Sequence, residues 1–283
     1  MSSKNLDQLF RETTARLSSS TCPFLEARLL IQAAGRMDEV EFFRRLPEPV
    51  WPQLEKKLER LVRQRIDGWP LAYLLGWKEF WNLPFRVNRS VLIPRPETEL
   101  VVEKSLSLSL SLEPLIIDIG TGSGNIAISL GKELPSARII ATDISLKALK
   151  LARENARLNQ VTNVRFVLSD MFKAFRQGDL TFDLIVSNPP YVAQDDWQKL
   201  DRPVKDFEPK KALVAGQDGL KFIRQLIGQA EHFLKPGGFL AMEIGAYQAE
   251  EVARLLRSGW SQTEIVPDYS GFPRVVCARK MSD

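Results

Sequence analysis

The feature that most constrains this chain is a run of short apolar segments alternating with amphipathic ones from Leu115 onward. Residues 115–119, 138–142, 164–168 and 182–186 are each five residues long and apolar at most positions, with Gly120, Asp143, Asn163 or Asn188 within two residues of an end. Runs this short and continuous read as strands buried on both faces. Between them lie helix-length segments, beginning at 125–131 and at 146–159, and further helices follow at 220–234 and 248–256. Strand–helix alternation of this kind closes only as a mostly parallel sheet covered on both sides. Strands over 238–243, 264–267 and 274–278 complete a count of seven. The last two are joined by only 268–273 and can pair antiparallel. The expected fold is therefore α/β, Rossmann-like, with a seven-stranded mostly parallel sheet whose ligands lie at the carboxyl ends of the strands.

Residues 1–75 have a different texture. Leu6, Leu9, Phe10 and Leu17 recur at helical spacing, and 49–66 carries Leu54, Leu58, Leu61 and Val62 on one face with Lys and Arg on the other. Thr21 is placed to cap a helix that has Pro23 in its first turn and Gly35 at its end, and Asp38 to cap a short one through Phe43. A small helical domain over 1–75 follows. Residues 76–97 read as a linker: a β-hairpin turning at Asn82-Leu83, then a stiff Ile93-Pro94-Arg95-Pro96 connector. The α/β domain occupies 98–283, with Thr98 as a candidate cap and the Ser-Leu alternation of 105–112 as the fraying end of a helix.

Charge separates the two halves. Residues 1–90 hold 15 Lys+Arg against 11 Asp+Glu, while the remainder holds 24 of each. The mild basic surplus fits an acidic protein or nucleic acid and sits outside the α/β domain. Cys22 and Cys277 form no metal-binding spacing, and the one histidine, His232, lies on a helix before a Gly-Gly turn with no nucleophile motif beside it. No metal site and no Ser-His or Cys-His hydrolase is expected. Free cysteines, the absence of an apolar signal core in Met1-Ser2-Ser3-Lys4-Asn5-Leu6-Asp7-Gln8, and no run long enough to span a bilayer point to a cytoplasmic setting without membrane contact.

Four stretches at carboxyl ends of the expected strands carry chemistry. Asp118-Ile119 leads into Gly120, Thr121, Gly122, Ser123 and Gly124, a tight turn that lets backbone approach a ligand and opens a helix N-terminus to a carboxylate. The spacing is not that of the dinucleotide loop, and a plain strand–helix turn would look the same. Asp143 ends the second strand, placed either to take two ribose hydroxyls or to cap the next helix. Asp170, Met171 and Phe172 follow the third strand and suit an adenine amino group and ring, or a loop with a buried aromatic. Ser187-Asn188-Pro189-Pro190-Tyr191 follows the fourth. Two prolines stop the ladder and leave carbonyls unpartnered, Asn188 offers a carboxamide, and Tyr191 adds a flat ring. The set suits a planar group bearing an NH₂.

Together these stretches resemble the class I S-adenosylmethionine-dependent methyltransferases, and within them the HemK/PrmC family of peptide release factor-glutamine N5-methyltransferases. The likeness is carried by Val91-Leu-Ile-Pro-Arg-Pro-Glu-Thr-Glu99, the glycine loop, Ser187 to Tyr191, Phe207-Glu208-Pro209 with Ala212-Leu213, Gln217-Asp218-Gly219-Leu220 and Glu243-Ile244-Gly245, and it covers nearly the whole chain. Met171 stands where relatives can carry an aromatic residue.

The resemblance implies methyl transfer from S-adenosylmethionine, leaving S-adenosylhomocysteine, to the glutamine side-chain nitrogen in the Gly-Gly-Gln motif of class I release factors. It implies cofactor contacts from Gly120, Thr121, Gly122, Ser123, Gly124, Asp143, Asp170, Met171, Phe172 and Asn188. Substrate contacts would come from Asn188, Pro189, Pro190 and Tyr191, with Asn188 and Pro189 accepting the two amide hydrogens and Tyr191 and Pro190 flanking the amide plane. Release factors would be the partners, and nothing demands more than a monomer. Arg95 and Glu97 fit contact with the bound peptide, gating of the cofactor or a structural ion pair between modules, Glu243 either the cofactor pocket or a sheet-end polar contact, and Arg202 with 201–216 either substrate recognition or a surface loop. Trp51, Trp69, Trp77 and Trp81 read as core or module contacts rather than a base-stacking platform. The rivals are a DNA or RNA amino-methyltransferase, which shares Asn-Pro-Pro-Tyr but needs a larger basic surface, and a cofactor-binding protein without catalysis, which an intact glycine loop and Asn188 disfavour.

Overall fold

A computed structural model describes residues 4–282. The chain forms two compact units, Met1–Gly76 with Arg202–Phe207, and Trp77–Asp201 with Glu208–Asp283. The first holds α1 (Leu6–Arg16), α2 (Pro23–Gly35), α3 (Glu39–Arg44), α4 (Pro52–Ile66) and α5 (Leu71–Leu75). Its core is the set expected from the helical spacing, Leu6, Leu9, Leu54, Leu58, Leu61 and Val62, packed on Leu30, Ile31 and Phe42. Asn5 opens α1 with a capping box to Gln8, and Asp38 caps α3 at the Glu41 amide. One expected boundary moves: Cys22, not Thr21, is the cap residue of α2, where Pro23 needs no amide acceptor. The helix ends at Gly35 as expected, with the left-handed Arg36 (φ +55°) as its C-cap. A bidentate pair from Arg65 to the buried Glu26, with both N–O distances 2.7 Å, ties α4 to α2.

The second unit opens with a two-stranded ribbon, β1 (Trp77–Phe80) and β2 (Leu83–Arg86). The turn is Trp81-Asn82, one residue earlier than expected, with φ of +52° and +53°. Such a turn matches the twist of the strands. Trp81 is held in this unusual conformation by its amide on Glu99 (2.8 Å) and its indole on Glu133 (2.8 Å). α6 (Glu99–Leu106) follows. Beyond it Leu108 and Leu110 pack, with Leu106, against the core, so the Ser-Leu alternation continues as a one-sided apolar edge.

The sheet is built from β3 (Leu115–Ile119), β4 (Arg138–Asp143), β5 (Val164–Leu168), β6 (Phe182–Ser187), β7 (Leu234–Glu243), β8 (Trp260–Pro267) and β9 (Pro273–Lys280), in the order β5-β4-β3-β6-β7-β9-β8. The first five are mutually parallel, and β9 pairs antiparallel with both β7 and β8. Alternate residues feed two cores: Ile116, Leu184 and Val186 pack with α6 and α7 (Asn125–Glu133), while Ile117, Ile185 and Leu240 pack with α10 (Lys221–Phe233) and α11 (Ala249–Leu255). Every residue of β6 is buried. Its one charge, Asp183, accepts from the Leu115 amide, Ser111 and Lys235, and these bonds hold its carboxyl below the usual range against the burial that would raise it. The remaining helices are α8 (Leu146–Leu158), α9 (Arg202–Phe207), α10 (Lys221–Phe233) and α11 (Ala249–Leu255). The chain leaves β3 toward β4 and β5, then crosses back to place β6 on the other side of β3. That reversal opens a crevice at the carboxyl ends of β3 and β6.

Candidate active site

A cleft of ≈ 330 Å³ occupies this crevice. Its floor is the glycine loop. Gly120 (φ +75°) and Gly122 (φ +56°) adopt left-handed backbone, and a Cβ on Gly120 would meet no atom within 4 Å. Both residues line the cleft with Thr121 and Ser123. The loop is pinned from below: the Thr121 amide donates to the Thr142 carbonyl (2.8 Å) and its hydroxyl to Asp118 (2.6 Å). Asp118 is fully buried, and burial pushes its carboxyl up to about 7, opposed first by the Thr121 hydroxyl.

Gly124 is different. Its backbone is also left-handed (φ +85°), but a Cβ there would lie 2.7 Å from Ile128 Cδ1 and 3.2 Å from Ala152 Cβ. It lies outside the cleft lining and lets α7 approach α8, so the expected cofactor contact gives way to a packing role.

Asp143 lines the cleft with its carboxylate fixed at both oxygens, Oδ2 accepting from the Gly122 amide (3.0 Å) and Oδ1 from the Ser145 amide (2.8 Å). Burial raises its pKa, and these amides oppose the rise. Capping of α8 falls instead to Ser145, whose hydroxyl accepts from the Ala148 amide. Next to Asp143 the Ile144 side chain is half exposed and forms an apolar wall that the sequence reading passed over. Asp170 and Met171 also line the cleft; Asp170 is paired to Lys173 at 2.5 Å. Phe172 is a correction. Its ring stacks on Phe233 at 4.4 Å and 7°, and it is buried in the α10 core away from the cleft.

At the end of β6, the Ser187 hydroxyl donates to the Ile119 carbonyl (2.7 Å), stapling the two strands beneath the cleft. Asn188, Pro189 and Pro190 line it. Asn188 Nδ2 donates to Thr98 Oγ1 (3.0 Å), Thr98 Oγ1 donates to Glu243 Oε2 (2.5 Å), and the Tyr191 hydroxyl donates to Glu243 Oε1 (3.0 Å). The Tyr191 ring packs against the same core as α10, its hydroxyl is engaged by Glu243, and Tyr191 is not among the residues that line the cleft, where its ring was expected to flank a substrate amide. Thr98 makes no side-chain cap on α6: its backbone is already helical, the last residue of a 3₁₀ turn over Pro96–Thr98, and its hydroxyl donates to Glu243. Glu243 is buried at the end of β7, which raises its pKa, while Thr98, Tyr191 and Arg274 pull it down and Glu97 pushes it up. Burial and the neighbouring Glu243 also hold the Tyr191 phenol well above its ordinary value.

The upper wall comes from 90–95 and 209–212. Glu208, with a side chain 1 % exposed, joins them: Oε1 accepts from Arg95 (2.5 Å) and Oε2 from the Ile93 amide (3.1 Å). The partner of Arg95 therefore lies in its own unit, and the pair shapes the cleft wall. Among the tryptophans, Trp51 lies under Arg45, Trp69 lies 4.8 Å from Phe207, and Trp77 is 43 % exposed. Arg202 pairs with Asp206 within α9. His232 lies in the last turn of α10, outside the cleft.

Residues 114–264 match the family model described as "Methyltransferase domain", and residues 8–76 match "PrmC N-terminal domain". The chain is 38 % identical over 278 residues to a release factor glutamine methyltransferase of Koribacter versatilis, covering 97 % of this chain and 98 % of that one. A release factor glutamine methyltransferase of Fusobacterium nucleatum is 43 % identical over 224 residues, 78 % of this chain and 63 % of that relative's length. Among solved structures, a methyltransferase from Pyrococcus furiosus shares the fold at a TM-score of 0.54 and 20 % identity, over 81 % of this chain and all of that one. No helix among the described residues is long and apolar enough to cross a membrane. With matches to both family models and a relative of 38 % identity over nearly its full length, the chain belongs to the release factor glutamine methyltransferase family.

Proposed function

We propose that this chain transfers the methyl group of S-adenosylmethionine to the side-chain nitrogen of the glutamine in the Gly-Gly-Gln motif of class I release factors, in the cytoplasm. The observation that carries the reading is the state of Asn188. Its Nδ2 donates to Thr98, and Asn188 and Pro189 both line the cleft, which supports the Asn188 Oδ1 and the Pro189 carbonyl as two acceptors for a ligand there. Two acceptors side by side match the two hydrogens of a primary amide.

The cleft fits the cofactor by the chemistry of its donors. Asp143 offers a fixed carboxylate for a ribose diol, Ile144 and Met171 offer apolar walls for a flat base, Asp170 offers an acceptor for its amino group, and the open backbone of Gly120 and Gly122 leaves room for close approach. When bound, the cofactor supplies an electrophilic methyl on a sulfonium. The protein's task is then positioning. An amide nitrogen is a poor nucleophile because its lone pair is delocalised into the carbonyl. Hydrogen bonds from both N–H groups to Asn188 and Pro189 hold the amide in one plane and draw electron density onto nitrogen. Pre-orientation of this kind can lower a barrier by about 7–11 kcal/mol at its upper limit. No general base is required before transfer, since the proton is lost from an already alkylated, far more acidic nitrogen.

Asn188→Ala should lower turnover by about 10²-fold or more while S-adenosylhomocysteine still binds. The reading is tested by incubating the protein with methyl-labelled cofactor and a release factor, the same factor with its Gly-Gly-Gln glutamine replaced, or plasmid DNA. Label confined to the unaltered factor is expected. Label on DNA, or equally on the replaced factor, would sink the assignment.

A further inference from the structure

An asparagine carboxamide has nearly the same shape in its two flipped orientations but exchanges donor for acceptor. Asn188 can meet an amide NH₂ in the proposed function only with Oδ1 in the cleft, so something must forbid the flip. Thr98 sits at the start of α6, where a threonine ordinarily caps its own helix, yet its hydroxyl caps nothing. The hydroxyl has one hydrogen, and that hydrogen goes to Glu243 at 2.5 Å. Both oxygens of Glu243 accept in this network, one from Thr98 and the other from Tyr191. Thr98 Oγ1 is thereby left as an acceptor and takes the Nδ2 hydrogen of Asn188 at 3.0 Å. The flipped amide would put its oxygen against an oxygen that has no hydrogen to give. Tyr191 donates to the second oxygen of Glu243, so both ends of the carboxylate are occupied by hydroxyl donors. Thr98 and Glu243 are both about 1 % exposed.

We infer that Thr98 and Glu243 are positioning residues, forming with Tyr191 a one-way hydrogen-bond relay that fixes the Asn188 oxygen toward the cleft and so selects a nucleophile that carries N–H donors. The inference rests on the proposed function for its substrate, but the orientation of the Asn188 amide is a property of the protein alone. Residues 145 positions apart create it, one from the connector before the first parallel strand and one from the end of β7. Neither touches the reacting atoms in this account.

The test uses the full chain. Thr98→Val keeps the shape and removes the hydroxyl; kcat on release factor should fall about 10–100-fold, as for loss of an orienting partner, with the affinity for S-adenosylhomocysteine unchanged. Thr98→Ser should recover most of the rate. In an Asn188→Ala background, Thr98→Val should add no further loss, because the residue it orients is gone. Independently of activity, the Asn188 side-chain NH₂, followed by NMR in selectively ¹⁵N-labelled protein, should show slowed hydrogen exchange in the wild type and in Thr98→Ser, and lose it in Thr98→Val. Wild-type kcat in Thr98→Val, additive losses in the double variant, or an unchanged amide signal would overturn the relay. If the wild type leaves release factor unmethylated but the amide signal responds as expected, the substrate assignment fails and the relay stands.

Discussion

Gly120 and Gly124 belong to one loop and share a left-handed backbone, yet their surroundings predict opposite consequences for the same substitution. Gly124→Ala places a methyl 2.7 Å from Ile128 Cδ1 and 3.2 Å from Ala152 Cβ. The isoleucine tip can swing aside. The Ala152 methyl is fixed to the backbone of α8, so the helices must part by a few tenths of an ångström. Left-handed backbone costs an L-residue about 1–2 kcal/mol, and overpacking of this kind adds about 1–2 kcal/mol. The sum, about 2–4 kcal/mol, lowers the unfolding transition of the α/β unit by about 4–16 °C. Gly120→Ala meets no atom within 4 Å, so only the backbone cost applies, but its methyl enters a residue that lines the cleft. Its stability loss should be the smaller, while S-adenosylhomocysteine affinity falls about tenfold or more, equivalent to about 1.4 kcal/mol. Calorimetric unfolding and titration calorimetry on both variants separate the cases. A Gly124→Ala variant that melts with the wild type, or that weakens ligand binding as much as Gly120→Ala does, would overturn this division of roles.

Two further outcomes follow from buried acids. Asp118 has a folded-state pKa near 7, above its unfolded value of about 3.9. Its contribution to stability is thus fully present below about pH 4 and is lost as the pH rises toward 7, by an amount on the order of 4 kcal/mol. Asp118→Asn keeps an acceptor for Thr121 and removes this slope, so its melting temperature relative to wild type should climb between pH 5 and 8; parallel curves would show that Asp118 is ionised in the fold. Glu208→Ala leaves the Ile93 amide unpaired and Arg95 without its partner, and since Arg95 is 32 % exposed the loss should be about 1–3 kcal/mol, with Glu208→Gln milder in thermal unfolding.

Local chemistry made much of the site readable. Positions such as Asp143 and Asn188 were legible because strand period and Gly, Pro and Asp punctuation place them at strand ends, and strand ends in a parallel sheet face one crevice. Phe172 and Tyr191 lie outside the cleft lining for a common reason: proximity in sequence to a site residue does not fix where a ring packs. Phe172 found Phe233 and Tyr191 found Glu243, both from elements far along the chain. Thr98 was read as a cap because a threonine before a helix usually is one, but its backbone is already helical and its hydroxyl donates to the buried Glu243.

By itself the sequence determined the class of fold, the order of strand and helix, the glycine turn and the acid that follows it, because each depends on interactions within a few residues: backbone sterics, hydrophobic period and the missing proline N–H. Tertiary structure alone decided which glycine faces ligand and which faces a helix, which rings enter the core, and which way the Asn188 amide points. Those choices are made by partners dozens of residues away, and they hold because a buried polar group must be satisfied by whatever the fold brings to it.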